Sequence, residues 1–243
     1  MSETIALITG ASSGIGKSLS QRLIKNGHRV IGTARDANRL CELQNELGDK
    51  FLPIDLNVDQ DASVDTLLER LPENWRQINI LVNNAGHDVG GRKNFADGNK
   101  KHWLDIIETN VRGLIRSTYA ILPGMLERDT GHIINLGSIG GLMPVPTTAV
   151  YSSSKHAVDG FSESLRLELA DTGVRVSQIL PGLVKTGFAS ARFGDDSKAD
   201  KFYEDFGMWL EPEDVAEAII YALNQPEHVV ISQLVIVPKK VSR

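Results

Sequence analysis

The sequence predicts an α/β fold built on a doubly wound parallel sheet. Three observations predict it. Short apolar runs alternate with amphipathic helical stretches along 243 residues. The first run leads directly into a glycine-rich turn that opens a helix. Four of the runs end in turns rich in Gly, Ser, Thr or Asn, where a doubly wound sheet opens its ligand crevice.

Ile5–Thr9 reads as a buried strand, followed by Gly10-Ala-Ser-Ser-Gly14-Ile-Gly16 and a helix that turns Leu19, Leu23 and Ile24 inward. Asn26-Gly27 ends that helix, and Arg29 to Ala34 supplies the next strand, completing a βαβ unit. Phe51 to Ile54 is a short third strand, and Val64 to Leu71 an amphipathic helix. Ile78 to Val82 is a strand running into Asn83-Asn84-Ala85-Gly86. From Trp103 a helical stripe passes through Ile106, Ile107, Val111, Leu114 and Ile115 to Ile121, with Asn110 on its apolar side. An amide is a poor helix former and costly to bury alone. Asn110 therefore either caps a local kink or holds a water or side chain needed elsewhere.

His132 to Gly137 is a strand ending at Ser138, and from about Tyr151 to Ala170 Val158, Phe161, Leu165 and Leu169 recur at helical spacing. Val174 to Leu180 is a further strand, ending in Pro181-Gly182-Leu-Val184-Lys-Thr186. Residues 187–208 are polar and glycine-containing, a segment suited to a lid over substrate. Glu211-Pro-Glu-Asp214 opens a last helix with acidic residues well placed for its dipole, and Val229 to Val237 reads as the final strand.

With 41% hydrophobic and 23% charged residues and no composition shift, the chain is expected to form a single domain over residues 1–243. A net charge of -5 argues against a nucleic-acid footprint and against anionic membrane surfaces. The lone cysteine, Cys41, excludes an intramolecular disulfide framework, fits a reducing compartment and is expected to be structural. No basic leader and no membrane-length apolar run is present, so the expected location is the cytoplasm. Asp55, Asn57 and Asp59 are spaced like the start of a calcium loop, but Gln60 replaces the required glycine and Thr66 stands at the twelfth position. No HExxH spacing occurs, so no catalytic metal is expected.

Glycines in the first turn let the backbone approach a pyrophosphate at a helix N-terminus. NAD sites commonly carry an acidic residue about twenty positions later, for the ribose 2′-hydroxyl. Here the second strand ends in Arg35, whose guanidinium suits a 2′-phosphate, so NADP(H) is the expected cofactor. Asp36 next door turns toward the ribose or pairs with Arg39. Tyr151 and Lys155 lie one helical turn apart, and a neighbouring ammonium favours the phenolate form of a tyrosine that exchanges protons with an alcohol or carbonyl. Spacing alone also fits a solvated helix face; the accompanying motifs favour chemistry.

Taken together, Thr9-Gly-Ala-Ser-Ser-Gly-Ile-Gly16, Asn83-Asn-Ala-Gly86, Asn110, Ser138, Tyr151-x-x-x-Lys155 and Pro181-Gly182 with Thr186 resemble the short-chain dehydrogenase/reductase family over nearly the whole chain. The resemblance implies a Rossmann-like seven-stranded parallel sheet with helices on both faces and strand order 3-2-1-4-5-6-7. It implies a tetrad of Asn110, Ser138, Tyr151 and Lys155. Tyr151 is then the acid/base, Ser138 orients the substrate oxygen, Lys155 lowers the tyrosine pKa and binds the nicotinamide ribose, and Asn110 holds a water connecting Lys155 to solvent. The cofactor set it implies is Gly10, Ser12, Ser13, Gly14, Ile15, Gly16, Arg35, Asp55, Leu56, Asn83, Ala85, Gly86, Tyr151, Lys155, Pro181, Gly182, Val184 and Thr186. Many NADP-using members carry Lys or Arg where Ser13 stands, so NADP preference rests mainly on Arg35.

Within the family, Leu71-Pro-Glu-Asn-Trp75, Leu122-Pro-Gly-Met-Leu-Glu-Arg128 and Ala191-Arg-Phe193 resemble the branch that oxidises 3-hydroxy acids, including serine, and reduces the corresponding semialdehydes. Arg192 and Lys185 are then candidates to meet a carboxylate. The alternatives are a 3-oxoacyl thioester reductase, another small aldehyde or ketone reductase, and a cofactor-sensing module without turnover. The family also implies a homotetramer or homodimer built on the helices beginning near Trp103 and Tyr151. Which alcohol is oxidised, its stereochemistry and the physiological direction depend jointly on residues 140–150 and the lid, and are not legible in the motifs.

Overall fold

A computed structural model describes residues 4–240. In chain order it contains β1 (Ile5–Thr9), α1 (Gly14–Lys25), β2 (Arg29–Ala34), α2 (Ala37–Leu47), β3 (Phe51–Asp55), α3 (Asp61–Asp65), α4 (Leu67–Arg70), β4 (Ile78–Asn83) and α5 (Lys100–Ile107). A π-helical turn over Glu108–Gly113 leads into α6 (Leu114–Glu127), then β5 (Gly131–Leu136), α7 (Ala149–Glu168), β6 (Val174–Pro181), α8 (Phe188–Phe193), α9 (Asp196–Phe206), α10 (Pro212–Leu223) and β7 (Gln233–Ile236).

The seven strands form one sheet in the order β3-β2-β1-β4-β5-β6-β7, every neighbouring pair parallel, as expected. Side chains alternate across each strand. Ala6 and Ile8 join Leu19, Leu23, Leu40 and Ile219 on one face, while Ile5 and Leu7 join Trp75, Met125 and Leu165 on the other. Burial of Leu19 or Leu23 contributes about 1.5–3 kcal/mol each, which is what seats α1 and aims its N-terminus at the end of β1. Strand order reverses between β1 and β4, and this is where the crevice opens.

Three local readings are corrected. The last strand spans only Gln233–Ile236 instead of Val229–Val237, because it is an edge paired on one side alone, with β6. The helix expected over 64–71 is two short pieces that break at Thr66, whose hydroxyl donates to the Ala62 carbonyl at 3.0 Å and competes with the helical ladder. Within residues 187–208 the chain forms α8 and α9, held by edge-on contacts among Phe193, Phe202 and Tyr203. Cys41 is exposed, since Leu40 and Leu43 occupy the inward face of α2. Among the described residues no helix is long and apolar enough to cross a membrane.

Candidate active site

The glycine-rich turn is tied to its neighbours by Asn84, within the Asn83–Gly86 run. Its side-chain nitrogen donates to the Thr9 and Gly10 carbonyls at 2.8 and 3.1 Å, while the Thr9 hydroxyl accepts the Asn84 and Ala85 amides, both at 3.0 Å. Gly10 and Gly14 hold φ of 68° and 51°, a region that only glycine enters without strain. A Cβ on Gly16 would stand 2.4 Å from the Gly10 carbonyl oxygen, and one on Gly14 would meet the Thr186 methyl at 3.1 Å. The turn therefore leaves open backbone at the N-terminus of α1, with Ser12 half-buried, Ser13 exposed at the N-cap and Ile15 packed against the core. These residues fit a dinucleotide's pyrophosphate.

At the end of β2, Arg35 is exposed and its guanidinium lies 3.7 Å from Asp59, beyond β3. Asp36 caps α2 by accepting the Arg39 amide and also pairs with the Arg39 guanidinium at 3.4 Å, so of the two readings it pairs. Asp55 is exposed at the end of β3, and Leu56 beside it is buried. Lys17 and Arg39 border the groove that runs past Ser12, Ser13 and Gly14; neither cation was singled out from the sequence for this.

Asn83 is buried and locked in the sheet, donating to the Thr118 hydroxyl and the Asn135 amide oxygen at 2.9 Å each. Gly86 follows, and a Cβ there would meet Asn110 Oδ1 at 3.1 Å and Lys155 Nζ at 3.8 Å. Beyond β6, Pro181 is buried and the Gly182 amide donates to Ile236. The Tyr203 hydroxyl spans the carbonyls of Val184 and Thr186, both at 3.1 Å, fixing that loop beside the glycine turn.

Asn110 sits in the π-helical turn, so the helix does deform there. Its amide accepts the His87 N–H at 2.9 Å and donates to the His87 carbonyl and to Ser154 Oγ, each at 3.0 Å. The buried amide is thus fully engaged, and it clamps the loop after β4 to α7. On α7, Lys155 Nζ donates to the Leu136 carbonyl at 2.8 Å and lies 6.0 Å from the Tyr151 ring centroid. Ser138, just past β5, hydrogen-bonds Tyr151 through its side chain. The four residues expected as a tetrad are therefore brought to the crevice together.

The electrostatics add a group to the expected set. Burial raises the Tyr151 pKa; the Ser138 hydrogen bond and the Arg192 charge oppose that rise. Lys155 donates to the Leu136 carbonyl, and burial brings its own pKa down to about 8. Arg192 reaches in from α8, its Cζ 5.8 Å from the Tyr151 ring, and meets buried Asp88 at 2.8 Å. Lys185, the other candidate for a carboxylate, stacks over Trp209 at 4.4 Å. Asp88 went unremarked in the sequence reading, because a single aspartate in a loop carries no pattern.

Comparison with known proteins agrees with this geometry. The sequence model of the short chain dehydrogenases matches residues 4–196. The chain is 44% identical over 236 residues to the NADP-dependent 3-hydroxy acid dehydrogenase YdfG of Escherichia coli K12, covering 96% of this chain and 94% of that protein. It is 40% identical over 240 residues to a probable NADP-dependent dehydrogenase of Haemophilus influenzae, covering 98% and 94%. The closed form of serine dehydrogenase complexed with NADP+ superimposes with a TM-score of 0.93 at 44% identity, covering 96% and 94% of the two chains. The family model over residues 4–196 and relatives at 40–44% identity, covered over nearly their full length, place the chain in the short-chain dehydrogenase family.

Proposed function

We propose that the protein is an NADP(H)-dependent oxidoreductase that interconverts a small polar alcohol, of the 3-hydroxy acid type, and its carbonyl partner. The hydrogen bond between Ser138 and Tyr151, beside Lys155 and Asn110 at the carboxyl ends of β4 and β5, carries the reading. Relatives named for NADP and for 3-hydroxy acids or serine support the cofactor and the substrate class.

Bound NADP(H) accepts or supplies the hydride. The chain handles the proton. Burial keeps Tyr151 protonated at neutral pH, the form that donates to a carbonyl oxygen during reduction; in oxidation the phenolate takes the alcohol proton. Ser138 holds the reacting oxygen, and Lys155 and Asn110 fix the cofactor ribose side and the loop at His87. The residues proposed to hold the cofactor are those of the glycine turn (Gly10, Ser12, Ser13, Gly14, Ile15, Gly16), with Arg35, Asp55, Leu56, Asn83, Ala85, Gly86, Pro181, Gly182, Val184 and Thr186. Arg35 would take the 2′-phosphate. We further read the chain as one cytoplasmic domain assembled as a homotetramer.

Tyr151→Phe is expected to abolish turnover while leaving NADPH affinity, measured by fluorescence titration, nearly unchanged. Loss of both together would mark a structural tyrosine and remove the mechanism. Activity with neutral ketones but with no 3-hydroxy acid or semialdehyde would remove the substrate class alone.

A further inference from the structure

Opposite the Ser138–Tyr151 pair, three charged groups converge from two separate stretches of chain. Asp88 lies in the loop after β4 and is almost wholly buried, at 2% exposure. Arg192, on α8, meets it through Nε at 2.8 Å. Among the described residues its two Nη groups have no hydrogen-bond partner. Arg92, at the rim of the same loop, stands 5.9 Å over the Phe202 ring, and Arg192 stands 5.6 Å over that ring. The backbone brings the two arginine-bearing segments together: Gly91, at φ 76°, approaches so closely that a Cβ on it would meet the Arg192 carbonyl at 3.4 Å.

These charges act on the reacting centre. The Arg192 guanidinium and the Asp88 carboxylate both act on the acidity of Tyr151, the first favouring and the second opposing its phenolate. Burial pushes the Asp88 carboxyl up, and Arg192 and Arg92 work against that rise. Two guanidinium groups face one carboxylate, leaving one positive charge uncompensated. Guanidinium is a forked donor matched to carboxylate, and the ion pair of Nε with Asp88 holds Arg192 in place while its Nη edge stays available to a second carboxylate. In a 3-hydroxy acid the carboxyl carbon is two bonds from the carbinol carbon. The Arg192 Cζ stands 5.8 Å from the Tyr151 ring centroid, so the guanidinium lies beside the phenol that would take the alcohol, and a short hydroxy acid is the size of molecule that meets both.

We propose that Asp88, Arg92 and Arg192 form the subsite that reads the substrate's carboxylate, with Arg192 presenting its Nη edge, Arg92 closing the rim, and Asp88 orienting Arg192 and repelling a second negative charge. The proposal rests on the 3-hydroxy acid reading above and deepens it: the preferred substrate is a monoanion. Neutral analogues and dicarboxylates are both disfavoured, the first by the uncompensated cation and the second by Asp88.

The test compares 3-hydroxypropanoate with its methyl ester, the same skeleton without the charge, at saturating NADP+. In Arg192→Gln the ratio of kcat/KM for acid over ester should fall about 10–100-fold, the range of a charged hydrogen bond. Arg92→Gln should lower it several-fold. Asp88→Asn should raise kcat/KM for malate, a 3-hydroxy dicarboxylate, relative to 3-hydroxypropanoate about tenfold or more. A lid held shut by a purely structural ion pair would lose acid and ester activity alike. Equal losses in both arginine variants, or an unchanged malate ratio in Asp88→Asn, would overturn the proposal. A wild-type enzyme that oxidises the ester but not the acid would remove the underlying 3-hydroxy acid reading instead.

Discussion

Arg35 is held toward the crevice by Asp59, which in turn accepts the Thr109 hydroxyl at 2.7 Å, while His87 Nε2 lies 3.0 Å from that same hydroxyl. A surface guanidinium that is mostly solvated contributes little to stability through such a pair. Its value is in pointing: a 2′-phosphate arriving here finds a cation already on the adenosine side. Replacing Arg35 by Ser should raise KM for NADP+ about 10–100-fold and move KM for NAD+ by less than about threefold. Steady-state kinetics with both nicotinamides decide this, and a wild-type enzyme more efficient with NAD+ would show Arg35 misassigned. The arginine and its neighbours in sequence were legible as a cofactor preference; Asp59 was not, because it is brought to Arg35 only by the pairing of β2 with β3.

At the scale of elements, β5 carries the site at one end and a buried histidine at the other. His132 bonds the Ser177 hydroxyl of β6 at 2.8 Å, and burial, aided by the Arg175 charge, holds its pKa down to about 3. In the folded chain it stays neutral, while in the unfolded chain it takes a proton below its ordinary value of 6.5. The unfolded state therefore binds more protons between those two values, and stability is full above pH 6.5 and falls as pH drops through the window. The slope is at most about 1.4 kcal/mol per pH unit from this group. Urea denaturation should show the wild type losing about 2–3 kcal/mol more than His132→Asn between pH 7 and pH 4.5. Parallel losses in the two proteins would assign the acid limb to carboxylates alone. The kink in the helix before α6 is a second case at this scale: the sequence marked Asn110 as anomalous, and the fold supplied the partners, His87 and Ser154, that make it affordable.

For the whole molecule, the outer faces of α5, α6 and α7 expose large apolar side chains, with Tyr119 at 79%, Leu167 at 60% and Leu104 at 58%. Apolar area grouped on adjoining helices favours burial against another copy over exposure to water. Light scattering should return the mass of four chains, and Leu104→Asp with Tyr119→Asp should reduce it to two. A monodisperse wild-type monomer would overturn the assembly. None of these side chains is among the residues proposed to hold the cofactor, so the double variant should lose mass before it loses NADPH binding.

Hydrophobic period and glycine placement marked the strands, the helices and the turns at the crevice, because each is written in consecutive residues, while the strand order and the tetrad around Tyr151 followed from the resemblance to the family. Local patterns also misled at Thr66, whose hydroxyl interrupts the helix, and at Cys41, which the fold leaves exposed. Only the tertiary structure showed that a second cation faces Tyr151. Lys155 stands one helical turn along the chain and 6.0 Å from the ring, and Arg192 arrives from α8 at 5.8 Å with Asp88 as its counter-ion. Charge acts through space, and the distances that set it exist only once the strands have been ordered and α8 has been packed beside Tyr151.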